Sequence, residues 1–245
     1  MRALGWCLVL VLAACGASGT GEESVPFTLA FEADAAGREF ETVSGWHVRL
    51  DEIYVAVGPL ALFSNAAPSA SLWDRVRGWV VPVAWAHSGF DEYDGGAVRG
   101  ELLETVVLDL GRDGLQAETH LIGVAGPVRS ATLELVATPS PLLHGAHAWV
   151  RGTATRAGET VAFAGGLQLP ADAKSRRVTG IPAEVELAEG STVVVAVHPQ
   201  RWFAEADFSS LPEGGTDGVR PIAPGSQVHA AWFLGARGYG AFTIR

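Results

Sequence analysis

The chain has 245 residues, with 17 Lys and Arg against 27 Asp and Glu, a net charge of −10 and 48% hydrophobic residues. That balance excludes nucleic acid as a partner, because counterion release from a polyanion needs a basic stripe, and here scattered arginines accompany a single lysine, Lys174. The length suits one domain that needs no staples, since a chain of about 230 residues buries roughly 70% or more of its unfolded surface.

At the N-terminus Arg2 supplies a positive charge, Ala3 to Ala14 form an apolar run, and small residues precede Cys15. The run is too short to cross a bilayer, so the pattern is that of an export signal that is cleaved. Leu12, Ala13, Ala14 and Cys15 resemble, position by position, the lipobox of bacterial lipoproteins, whose type II signal peptide ends at an acylated cysteine. The resemblance implies loss of residues 1–14 and a palmitate-bearing membrane anchor on Cys15. Because Gly16 and not Asp follows, it also implies the outer membrane, with the protein facing the periplasm or the cell surface. Cleavage removes Arg2 and no acid, so the mature chain is one unit more acidic. It also removes Cys7 and Met1, and with Cys15 lipidated the mature domain has no disulfide, no thiolate nucleophile and no soft sulfur ligand. Residues 15–24 are small and polar, a flexible tether with an r.m.s. span of roughly 15 Å.

The folded domain is expected over 25–245. Phe27, Leu29 and Phe31 alternate with smaller or polar residues, the period of a half-buried strand. Trp46, Val48 and Leu50 repeat it, and Ile53, Val55 and Val57 follow up to a Gly58-Pro59 break, so the two runs read as neighbouring strands. A loop over 65–71, a short helix over 72–76 and a strand over 79–85 with Pro82 at an edge or bulge come next. The segment 101–110 reads as one strand closed by the Gly111 to Gly114 turn. Further strands are predicted at 130–137, 146–155, 160–169, 183–187 and 192–197. Arg156 to Glu159 and Ala188 to Gly190 read as hairpin turns, each with a Gly able to take positive φ. Helices are predicted at 199–206 and 226–234, the second capped by Ser226 and ended by Gly235, and Phe242 and Ile244 share one face of a last strand. About ten strands with short connections and one or two short helices predict an all-β antiparallel sandwich.

Catalytic signatures are missing: the sequence contains no G-x-S-x-G, no Walker loop, no G-x-G-x-x-G and no H-E-x-x-H. Two stretches offer metal-ligand chemistry. His87, Asp91 and Asp94 lie in the densest polar and aromatic cluster, between two predicted strands, and His144 and His147 place two imidazoles three apart. Imidazole with carboxylate suits zinc or copper(II), and the carboxylates alone suit calcium. The alternatives are a solvated acidic loop and a pair of histidines on an ordinary strand. Most tryptophans are expected in the core, with Trp73 the exposed candidate. Trp202, Phe203 and Phe208 are expected to lid one end of the fold, with His198, Glu205 and Asp207 beside them.

The leading expectation is a non-enzymatic, lipid-anchored binding or structural module of the envelope, whose partner is an envelope protein or a small ligand. A zinc- or copper-binding lipoprotein is the first alternative, marked by convergence of His87, His144 and His147. A glycan-binding module follows, marked by exposed aromatics beside acids, and then an envelope hydrolase, marked by paired carboxylates in a cleft.

Overall fold

The computed structural model describes residues 23–66, 96–213 and 216–245. Among these, 13 strands form one sheet. The first half supplies β1 (Ser24–Ala33), β2 (Glu39–Glu41), β3 (His47–Phe63), β4 (Val98–Leu102), β5 (Val106–Asp109), β6 (Leu115–Val124) and β7 (Gly126–Leu135). The second half supplies β8 (Ala148–Arg156), β9 (Glu159–Leu167), β10 (Arg177–Leu187), β11 (Thr192–Val197), β12 (Val219–Pro221) and β13 (Phe242–Ile244). The helices are short: α1 (Ala173–Arg176), α2 (Pro199–Trp202) and α3 (Gln227–Ala236). No helix among the described residues is long and apolar enough to cross a membrane.

The spine is β3. Its inward residues are Val48 and Leu50, then Ile53, Val55 and Val57, then Leu60 and Leu62. The apolar phase therefore switches from even to odd and back. Each switch coincides with an extra residue in the ladder, the first between Leu50 and Glu52 against β8, the second between Val57 and Leu60 against β7. A bulge shifts every later side chain to the opposite face, so the phase change keeps the apolar set on the core side. The two runs expected as neighbouring strands are thus one continuous strand that passes through the cis Gly58-Pro59 peptide. One edge pairs with β8 and then β7, the other with β2, β5 and β4. The single strand expected over 101–110 divides into β4 and β5, both on that second edge.

The expectation of a mostly β fold stands, but the antiparallel sandwich is revised. The sheet curls into a half-barrel, and it is mixed because β1 pairs parallel with β11, β10 with β13 and β9 with β12. The path runs β12-β9-β8-β3-β7-β10-β13-β11-β1-β6. The β8–β9 hairpin forms as expected, with Ala157 at φ 50 and Gly158 at φ 87 in its two-residue turn, the combination of two positive φ values that a twisted hairpin requires. The second expected hairpin does not form. Gly190 does take φ 73, but its N-H donates to the Pro26 carbonyl, and β13 inserts between β10 and β11.

At the far end β6 pairs, among the described residues, with β1 alone, and the opposite side of the curl is bridged by a side chain. Gln116 accepts from the Asp109 N-H at 3.0 Å and donates to the Asp109 carbonyl at 2.7 Å, so its amide supplies the rung that a strand would. The interior is capped by α3 and the segment before it. Ser226 accepts from the His229 N-H at 3.1 Å as predicted, and the helix continues past Gly235 to Ala236. Trp202, Phe203 and Phe208 are fully buried and pack with Phe163 and Trp232 at ring separations of 4.6 to 6.4 Å.

Candidate functional site

The three-stranded patch β3–β8–β9 carries apolar residues inward and a short row of larger groups outward. Glu52 and Tyr54 point outward from β3, Trp149 and Arg151 from β8, Ala164 and Gly166 from β9. The register sets Trp149 between Tyr54 and Gly166, and Arg151 between Glu52 and Ala164. The small residues on β9 make the hollow. A Cβ at Gly166 would stand 2.7 Å from the Ala146 Cβ, so Ala146 excludes a larger residue there, while the 3.4 Å left to the Trp149 ring is ordinary contact.

Two loops complete the walls. His144 ends a short 3-10 turn in the left-handed conformation, φ 49, which brings its ring to 4.3 Å from Trp149 at a tilt of 48°. Asp217 stands at φ 56 just before β12, and Val219 follows it on the strand. The result is a cleft of about 310 Å³ lined by Glu52, His144, Trp149, Arg151, Asp217 and Val219 with Ala164, at the lower end of the range of small-molecule sites. Burial first, then the field of the Asp109 and Glu52 charges, pushes the Tyr54 phenol up. Arg151 brings five N-H donors into that field, and the two carboxylates bring acceptors. An aromatic wall with donors and acceptors around it holds a flat polar ring by face contact and hydrogen bonds.

The expected metal ligands fall differently. His87, Asp91 and Asp94, like Trp73 and Cys15, lie outside the described residues. His144 lines the cleft, whereas His147 is 5% exposed and accepts at Nδ1 from the Leu169 N-H at 3.3 Å. That bond places the His147 proton on Nε2, and burial pushes the imidazole pKa down against the pull of the Leu167 carbonyl. The two histidines are thus committed to different neighbours. Among the described residues no group of three or more His, Cys, Asp or Glu is placed to hold a metal ion.

No family model matches the chain, and no curated protein matches it. Among solved structures, MbnP from Methylosinus trichosporium is similar over 91% of this chain and 98% of its own, with a TM-score of 0.41 and 11% identity.

Of Asp207 and Glu205, expected near His198, the first serves the fold through its side chain and the second through its backbone. Asp207 accepts from the buried Trp46 indole at 2.9 Å and from the Ser209 N-H at 3.1 Å, and the Glu205 carbonyl accepts from Gln227. The cleft itself escaped the sequence reading. Its trace is the outward Trp149-x-Arg151 step opposite a strand of Ala and Gly, a pattern that acquires meaning only once β9 is paired with β8.

Proposed function

We propose that this protein is a lipid-anchored binding module of the bacterial envelope that takes a saccharide in the cleft walled by Trp149 and His144. The observation that carries the reading is the grouping of an indole, a guanidinium and two carboxylates around one small hollow. Sugars present an apolar C-H face to an aromatic ring and hydroxyls to charged acceptors and donors. The lipobox resemblance supplies the envelope address.

The test is calorimetric titration with neutral and acidic mono- and disaccharides, with zinc, copper(II) and calcium salts as control solutes. A saccharide should bind, and Trp149→Ala should weaken it at least tenfold, the loss of an aromatic contact worth roughly 1.4 kcal/mol or more. Equal affinity in that variant, or a response to the ions alone, would reject the cleft as a sugar site.

A further inference from the structure

Away from the cleft, where β1, β11 and β13 lie side by side, three side chains form a chain of hydrogen bonds. His198, just after β11, has its Nδ1 3.0 Å from Asp34 Oδ2, and its Nε2 2.9 Å from the Thr243 hydroxyl on β13. An ionised carboxylate only accepts, so the imidazole proton sits on Nδ1, and Nε2 is left to accept from the Thr243 O-H. We infer that Thr243, His198 and Asp34 form a nucleophile, general base and positioning group for acyl transfer from small carboxylic esters.

The arrangement is held from behind. Asp34 also accepts from Gln200 Nε2 at 2.6 Å and from the Ala36 N-H at 3.1 Å. Burial raises its pKa, but the bonds from His198, Gln200 and Ala36 outweigh that and hold the carboxyl below its usual range, so it stays ionised at neutral pH. Gly37 makes room for this contact, since a Cβ there would stand 2.6 Å from Gln200 Oε1 and from Pro199 Cδ. The His198 backbone is fixed by its N-H bond to the Ala241 carbonyl at 2.9 Å. The nucleophile is accessible, with Thr243 exposed while Phe242 and Ile244 on either side are buried. Arg245, paired with Glu32, follows on the same face about 7 Å along the strand. A second Thr-His contact on this sheet sets the contrast. Thr28 Oγ1 lies 3.0 Å from His120 Nδ1, with no carboxylate bonded to the other ring nitrogen among the described residues.

The step balances without any added oxidant or metal. Thr243 Oγ adds to the ester carbonyl carbon as its proton passes to His198 Nε2. The tetrahedral adduct collapses, the C-O bond to the alcohol breaks, and His198 returns the proton to the leaving oxygen. Water then attacks the acyl-threonine through the same imidazole, releasing the acid and restoring Thr243. An open strand face and not a deep pocket limits the substrate to small, unhindered acyl groups.

The experiment uses the full protein, purified in detergent, with p-nitrophenyl acetate as probe. Release of p-nitrophenol and acid-quenched mass spectrometry of the acetylated peptide are both followed. The expected result is acetylation at Thr243, at least a tenfold loss of turnover in Thr243→Val and in His198→Ala, and retention in Thr243→Ser. Asp34→Asn should lower kcat with KM unchanged. Thr243→Val keeps the β-branched shape, and its melting temperature shows that the fold is intact. Turnover unchanged in Thr243→Val, or acetyl found on Thr28 or elsewhere and not on Thr243, would overturn the assignment. So would a rate no greater than that of free imidazole at the same concentration.

Discussion

Replacing Asp207 with Ala tests how a single exposed-side carboxylate holds the buried spine. Its Oδ1 accepts from the Trp46 indole at 2.9 Å, the Ser209 N-H at 3.1 Å and the Ser209 hydroxyl at 2.8 Å. Arg156 sits 3.6 Å from the same oxygen while lying 4.4 Å over the Trp46 ring. Trp46 is fully buried, so truncation strands an indole N-H at about 1–3 kcal/mol and removes a cap. The Asp207 side chain is 39% exposed, so water replaces part of the loss and the expected cost is about 2 kcal/mol. For a domain of this size that lowers Tm by about 4–8 °C. The hydrogen bonds from Ser209 and then Trp46 hold the carboxyl below its usual value despite burial. Its folded pKa is therefore lower than its unfolded one. The stabilisation is complete above the unfolded value of about 3.9 and disappears as pH falls through the folded value. Urea unfolding of wild type and Asp207→Ala from pH 7 to pH 3 should show a gap that narrows below about pH 4, with Asp207→Asn between the two. The buried imidazole of His147 also loses stability as pH falls below about 6.5, its unfolded value, but it does so in both proteins and cancels. A gap under about 0.5 kcal/mol at pH 7, or one that stays constant to pH 3, would refute the reasoning.

Gly152→Ala should destabilise by about 1–3 kcal/mol or more, because a Cβ there would stand 2.2 Å from the Arg49 carbonyl oxygen beside the first bulge of β3. Gly158→Ala, at φ +87 with nothing within 4 Å, should cost only the left-handed penalty of about 1–2 kcal/mol; urea midpoints that rank the pair the other way round would show that backbone approach is not what selects glycine at 152. Cys15→Ser should abolish palmitate labelling and outer-membrane fractionation. Labelling that persists in the variant would remove the lipoprotein reading.

The local features were legible where one face of a strand meets the core. The even-to-odd phase change along β3 was visible in Trp46, Val48, Leu50, Ile53, Val55 and Val57, although only pairing reveals that a bulge and not a turn lies between the two runs. The Ala157-Gly158 turn was legible through Gly158, whereas the positive φ of Ala157 has no signature in an alanine and follows from the pairing of β8 with β9. Strand β6 was not. Its core-facing side carries only Ala117, Thr119, Leu121 and Gly123, and Ile122 stands exposed on the outward side with Glu118 and His120, so small and polar residues inward and an apolar one outward erase the apolar period.

The second predicted hairpin failed for a reason that also explains why the catalytic arrangement was invisible. The turn at Gly190 has the local chemistry of a hairpin, yet β10 and β11 are parted by a strand from the very end of the chain. Local propensity cannot foresee a partner that arrives from more than forty residues away. That same insertion sets Thr243 opposite Ala196 and next to His198, while the parallel pairing of β1 with β11 sets Asp34 on the other side of the imidazole. The three residues are separated in sequence by 164 and 45 positions, and each alone looks like a capping or surface residue. Their chemistry is a property of strand order, and the parallel pairing that makes the sheet mixed is what assembles it.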